Sequence, residues 1–194
     1  MLQRNAFKIT ANLSAVGFHP SKGTITMATH STGIRSTRTI ALLAIAGIVA
    51  CALILAFTVL TWLQVPAPVG AAFGFTDLKQ MTETPNVPTT SIQHAYFAWL
   101  AWTLLVVVVS ITAAAVLLRT RFAGVAATAA AFVALILQVL AAKGPMTWSA
   151  FFDTFDQFRA GAYFAIGSWL VLLAVGVAIV VASGSTAERE LVTT

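Results

Sequence analysis

A chain of 194 residues that is 59% hydrophobic and 9% charged, with mean hydropathy +0.90, leaves a soluble fold nowhere to hide its apolar side chains. Soluble domains carry about a quarter charged residues. The net charge of +5 does not mark a nucleic-acid binder, because the eleven Lys and Arg form no dense patch interleaved with aromatics. The one cysteine, Cys51, lies in an apolar run, which excludes an intrachain disulfide and a cysteine-based metal site.

Residues 1–39 are polar and basic, with Arg4, Lys8, Lys22, Arg35 and Arg38 and no acid. Their weak apolar periodicity predicts a flexible cytoplasmic tail, held near anionic headgroups by charge. Met27 offers a second start, which would leave residues 1–26 untranslated. His19 and His30 stand alone, without the partner spacing of metal ligands. The first predicted span, 40–63, has no charge and is far longer than the ~7–15 residues of a signal-peptide core, so a membrane anchor is favoured over a cleaved leader. Within it Cys51 is expected to pack, and the pairs Ala46/Ala50 and Gly47/Cys51 offer small faces to another helix. Trp62 is expected at the end of this span, at the membrane surface.

Residues 64–93 hold Pro66, Pro68, Pro85 and Pro88, together with Asp77, Lys79 and Glu83, and are expected to form an outer loop without helix. The centre of the chain is a hairpin: the uncharged runs 95–118 and 122–142 flank Arg119-Thr120-Arg121. At about 1.5 Å per residue each run reaches roughly 30–36 Å, enough to cross a hydrocarbon core of about 30 Å. So short a turn makes the two helices antiparallel neighbours, and its arginines place it in the cytoplasm. Tyr96, Trp99 and Trp102 open the hairpin and are expected in the interfacial aromatic belt. Gly124 and Thr128 form another small pair, and Gln138 is the strongly polar side chain of the third span, expected to make an interhelical hydrogen bond.

Residues 143–159 carry the densest pattern outside the spans. Gly144-Pro145 stops the third span and Ser149 is the expected N-cap of a short helix. Trp148, Phe151, Phe152, Phe155 and Phe158 recur at helical spacing, with Asp153 and Asp156 largely opposite, as in a helix lying in the interface plane. Asp156 and Arg159 are spaced to pair; Asp153 with Asp156 could alternatively be an acid pair, though no histidine or third carboxylate accompanies them. The fourth span is 162–182, with small pairs Gly161/Ala165 and Ala174/Ala178, and 183–194 is a cytoplasmic tail.

The expected fold class is therefore all-α: an integral membrane four-helix bundle with a short amphipathic interfacial helix in the second outer loop. Both termini are placed in the cytoplasm of a cell (plasma) membrane protein. On that topology eight basic residues, among them Arg35, Arg38, Arg119 and Arg121, lie inside and three outside, with four acids outside. No span contains an ionisable group, which transporters and proton relays normally need. The expected role is a non-enzymatic accessory or scaffold subunit without cofactor or metal. Its partners are the lipid bilayer and other membrane proteins or a second copy, with no nucleic acid. The partner surface is Trp148, Phe151, Phe152, Phe155, Asp153, Asp156 and Arg159, with Tyr96, Trp99 and Trp102. A small transporter or channel with an uncharged pathway is the alternative. A membrane enzyme using Asp77, Glu83, His94, Asp153 or Asp156 is the second.

This layout, with Gly161-Ala162-Tyr163 leading into Gly167-Ser168-Trp169-Leu170, resembles small four-helix membrane proteins of actinobacteria, among them the tryptophan-associated membrane protein type. The likeness spans residues 40–182. Similar small proteins serve as accessory subunits of actinobacterial respiratory supercomplexes, so the resemblance implies an accessory role; it transfers no functional residue.

Overall fold

The computed structural model describes residues 29–66, 68 and 70–192, with side chains described from Thr37 to Gly184. The tail residues Arg4, Lys8, Lys22, His19 and Met27 lie outside the described residues, as does the side chain of Arg35. Four helical stretches are long and apolar enough to cross a membrane: Thr37–Thr58, Ser91–Leu118, Arg121–Lys143 and Ala160–Gly184. Only 28–39% of each is buried within the protein. The remainder exposes Ile48, Leu118, Phe122, Phe132 and Val181 among many large apolar side chains, a surface compatible with lipid as solvent.

Helix α1 (Thr29–Thr58) begins well before residue 40, so part of the predicted tail is helical. Once the apolar run has nucleated a helix, adding turns to its N-terminus is cheap. Its other end comes earlier than expected, at Thr58, whose hydroxyl donates to the Ile54 carbonyl. The chain then turns into an antiparallel hairpin of β1 (Thr61–Gln64) and β2 (Ala72–Gly74). Helix α2 (Phe75–Glu83) follows, its first turn closed by Asp77 Oδ2, which accepts from the Gly74 N–H at 2.8 Å. The expectation of a helix-free loop over 64–93 is thus corrected. Its prolines fall outside the Pro-free stretch from Phe75 to Glu83, so they bound the helix rather than prevent it.

The second long helix starts at α3 (Ser91–Ala95), capped by Thr90 Oγ1, which accepts from the Gln93 N–H. It passes through a π-helical turn at Tyr96–Leu100 into α4 (Ala101–Leu118). The turn Arg119-Thr120-Arg121 joins the second and third long helices directly. Arg119 takes the left-handed conformation, at φ 53°, that ends α4, and Thr120 caps α5 (Arg121–Lys143) through its hydroxyl. After Gly144 come α6 (Trp148–Asp153), a single 3₁₀ turn at Phe155–Gln157, and α7 (Ala160–Val192). Thr147, not Ser149, is the N-cap of α6: its Oγ1 accepts from the Ala150 N–H.

The four long helices pack side by side, α7 against α5 and α1, and α4 against the same two. Small residues set the closest approach. A Cβ on Gly176 would stand 2.5 Å from Thr128 Oγ1, and one on Gly124 would stand 3.0 Å from the Val180 backbone nitrogen. The Gly124/Thr128 pair therefore does face a helix. Gly47, Cys51, Ala174 and Ala178 are exposed, so those expected packing faces point outward. An outward small residue is tolerated in a lipid-facing wall because lipid chains conform to it.

Candidate functional site

Both long connections meet at one end of the helices. The Arg159 N–H donates to the Trp62 carbonyl, Leu63 bridges Phe158 in antiparallel fashion, and Arg159 Nε donates to Gln64 Oε1 at 2.7 Å. Arg159 Nη1 takes the Asp156 main-chain carbonyl, at 2.7 Å. The expected Asp156–Arg159 charge pair is replaced by these contacts because Phe158 leaves the 3₁₀ turn in extended backbone, which breaks the helical spacing between the two. Among the described residues the one ion pair seen is Lys79–Glu83, exposed on α2.

Two aromatic clusters fill this end. In one, Phe57, Trp62, Phe75, Phe97 and Tyr96 join Trp102 with centroid separations of 4.8–6.5 Å. Trp62 is 2% exposed and its indole N–H donates to the Ala56 carbonyl, closing the C-terminus of α1. It lies just past the end of α1 and faces the protein interior rather than lipid, packed against Gly161, where a Cβ would fall within 2.5 Å of the indole. In the other cluster Trp148, Phe151, Phe152, Phe155 and Phe158 touch at 5.5–6.3 Å, and Lys143 Nζ sits 5.3 Å above the Trp148 ring.

Beneath the second cluster lies a polar node in an otherwise apolar interior. Gln138 Oε1 accepts from Trp169 Nε1 at 2.6 Å and from the Tyr96 hydroxyl at 3.2 Å, while Gln138 Nε2 donates to the Ala162 carbonyl at 3.4 Å. Gln138, Tyr96 and Trp169 are all essentially unexposed. The node ties three of the long helices together, and it contains the interhelical hydrogen bond expected of Gln138. It also corrects the placement of Tyr96. The π turn carries the Ala101 N–H back to the Tyr96 carbonyl, five residues away, which brings Tyr96, Phe97 and Ala101 all onto the buried face. Trp99, 57% exposed, and Trp102, 38% exposed, keep outward positions.

Between the node and the second cluster is a cavity of about 200 Å³. Its walls are mainly Trp62, Trp148, Phe151, Phe152, Phe155, Phe158 and Tyr163, with Val139, Ala142 and Ile166 on the helix sides and Gln138 and Ala162 at the node.

No protein-family model matches this chain, and no curated protein or solved structure resembles it significantly. Of the predicted partner-surface residues, Trp148, Phe152 and Phe155 are exposed while Phe151 is buried beneath them; Asp153 and Asp156 are exposed alongside. Arg38, Arg119 and Arg121 are exposed, and the hairpin of Arg119 and Arg121 is at the far end of the helices from the aromatic clusters. Among the described residues no group of three or more His, Cys, Asp or Glu is placed to hold a metal ion. Sequence reasoning set Trp62 at this end but foresaw neither its burial nor the buried places of Phe75 and Trp169. A paired partner for Gln138 was the one signal that pointed there, since a lone amide in an apolar span needs acceptors and donors from other helices.

Proposed function

We propose that the chain is a non-enzymatic accessory membrane protein of the cell membrane, a four-helix bundle with both ends in the cytoplasm. It acts by protein–protein contact through the aromatic end. The observation that carries this reading is Trp148, Phe152 and Phe155 held outward on a fixed base: Phe151 and Phe158 pack beneath them and Arg159 fastens the segment to Gln64. Preorganised, exposed aromatic rings lose little entropy on docking and are the usual anchors of an interface. The same rings suit the headgroup layer, so the segment seats in the interface plane while presenting its outer edge to a neighbour.

The triple change Trp148→Ser, Phe152→Ser and Phe155→Ser leaves the buried Phe151 in place and is expected to preserve folding and membrane insertion. It should abolish stoichiometric co-purification with a larger complex in mild detergent. Undiminished recovery of the complex from the triple variant would refute the reading.

The orientation rests on arginines flanking the spans: Arg38 and the pair Arg119 and Arg121 stand at the end opposite the aromatic clusters. In a Cys51→Ala background, Ser149→Cys should react with a membrane-impermeant maleimide added to intact cells. Thr120→Cys should react only after permeabilisation. The reverse pattern would invert the topology.

A further inference from the structure

The cations at the two ends of the helices are committed differently. At the aromatic end each is engaged by the protein: Lys79 faces Glu83, Lys143 lies over the Trp148 ring, and Arg159 holds Gln64 and the Asp156 carbonyl. At the opposite end, among the described residues, Arg38 and Arg121 make neither an ion pair nor a side-chain hydrogen bond. The four described carboxylates, Asp77, Glu83, Asp153 and Asp156, all belong to the aromatic end. Helix α7 does continue past Gly184 on the arginine side and carries Glu188 and Glu190. At about 1.5 Å per residue those two fall roughly 6–9 Å further along its axis, away from the spans.

Packing brings the arginines to one level. Leu42 and Leu43 of α1 pack with Ala115 and Val116 of α4 and with Ala123 and Ala127 of α5. Arg38 is one turn from Leu42, Arg119 is one turn from Ala115, and Arg121 stands two residues before Ala123. All three therefore rim the same end of the bundle. Beside them Ile40, Leu118 and Phe122 are 65%, 65% and 84% exposed. Each arginine is thus within two residues of a large apolar side chain that faces outward. That neighbourhood seats the guanidiniums where hydrocarbon meets headgroups, the depth of the lipid phosphates. A guanidinium there, with no carboxylate at hand, is matched by a phosphodiester, which it grips through two parallel hydrogen bonds.

We propose that this end of the bundle is a binding site for an anionic phospholipid, with Arg38 and Arg121 on the phosphate, Arg119 beside them, and Leu118 and Phe122 against the acyl chains. The inference rests on the membrane reading of the chain, and on neither its orientation nor its partner contact. A zwitterionic lipid brings its own cation to the same place and is bound less well.

The test uses the full chain in mild detergent, titrated separately with dioleoylphosphatidylglycerol and dioleoylphosphatidylcholine and followed by native mass spectrometry. The first phosphatidylglycerol should bind at least about fivefold tighter than the first phosphatidylcholine, the factor one arginine at headgroup depth contributes. Arg38→Gln with Arg121→Gln should remove that preference and leave phosphatidylcholine binding unchanged. Lys79→Gln with Lys143→Gln deletes the same formal charge at the aromatic end and should keep the preference. Near-UV circular dichroism checks that both double variants are folded. Arg121→Gln alone replaces the arginine pair if that variant is not, since Arg121 opens α5, where losing a cation suits the helix dipole. Equal affinity of the wild type for the two lipids overturns the site. So does an undiminished preference in the folded arginine variant, or an equal loss in the lysine control, which would make net charge the cause. Displacement of bound phosphatidylglycerol by excess glycerophosphoglycerol overturns the lipid assignment and gives the arginines to a soluble phosphate.

Discussion

Gln138→Leu is expected to destabilise the protein by about 2–4 kcal/mol, read as a fall of roughly 5–12 °C in the thermal midpoint in detergent. Leucine nearly matches the volume of glutamine, so packing changes little. What changes is that the Tyr96 hydroxyl and the Trp169 indole N–H lose their shared acceptor while remaining buried. A buried donor without a partner costs about 1–3 kcal/mol, and here two are orphaned at once. Interhelical hydrogen bonds in membranes average nearer 0.6 kcal/mol, because the separated helices find other partners. The larger figure is expected here because these groups face protein on every side rather than lipid. Tyr96→Phe in the same background should then cost less than Tyr96→Phe alone, since its hydroxyl has already lost its acceptor. A double-mutant cycle with coupling under about 0.3 kcal/mol, or a single-variant loss under about 0.5 kcal/mol, would show that the node does not hold these helices together.

Gly176→Val is expected to be the most damaging single change in the spans. Even the first carbon of a new side chain would lie 2.5 Å from Thr128 Oγ1 and 2.8 Å from the Thr128 backbone nitrogen. A hydroxyl could swing aside, but the backbone of α5 cannot, so the two helices must separate and lose contact along their length. Overpacking of this kind costs about 1–3 kcal/mol where side chains can yield, and more where a main chain is struck. Gly47→Ala and Gly167→Ala are the matched controls: nothing lies within 4 Å of a Cβ at either position. Alanine is the better helix former by about 1 kcal/mol in water, so these variants should be neutral or slightly more stable. Equal thermal midpoints for Gly176→Val and the controls would mean that α5 and α7 are not in intimate contact.

The membrane character was legible from the sequence because absence of charge over a long run is a local property. The hairpin turn was equally legible as a charged break between two uncharged runs, although nothing in the identity of Arg119 announces its left-handed backbone. The aromatic end was not. Strands β1 and β2 are four and three residues long, too short for alternation to register, and their pairing is specified by each other rather than by either alone. Tyr96 has the composition of an interfacial residue, and only the π turn and an amide 42 residues away make it an interior one. The pattern from Trp148 to Phe158 reads as one helix because the rings keep helical spacing. The break at Thr154 comes from tertiary contacts that draw Phe158 to Leu63 and Arg159 to Gln64. Signals that depend on two distant stretches meeting are invisible to a window that slides along one.

The ties between the first connection and the last loop join residues as far as 95 apart, and Trp62 packs directly against Gly161. During synthesis, α4 and α5 can close on each other as soon as their two-residue link emerges. Trp62 must wait until nearly the whole chain has been made. The half-built protein therefore exists for a time with an indole and a ribbon edge uncovered at the bilayer surface, and it is during that interval that insertion chaperones or premature self-association would find it.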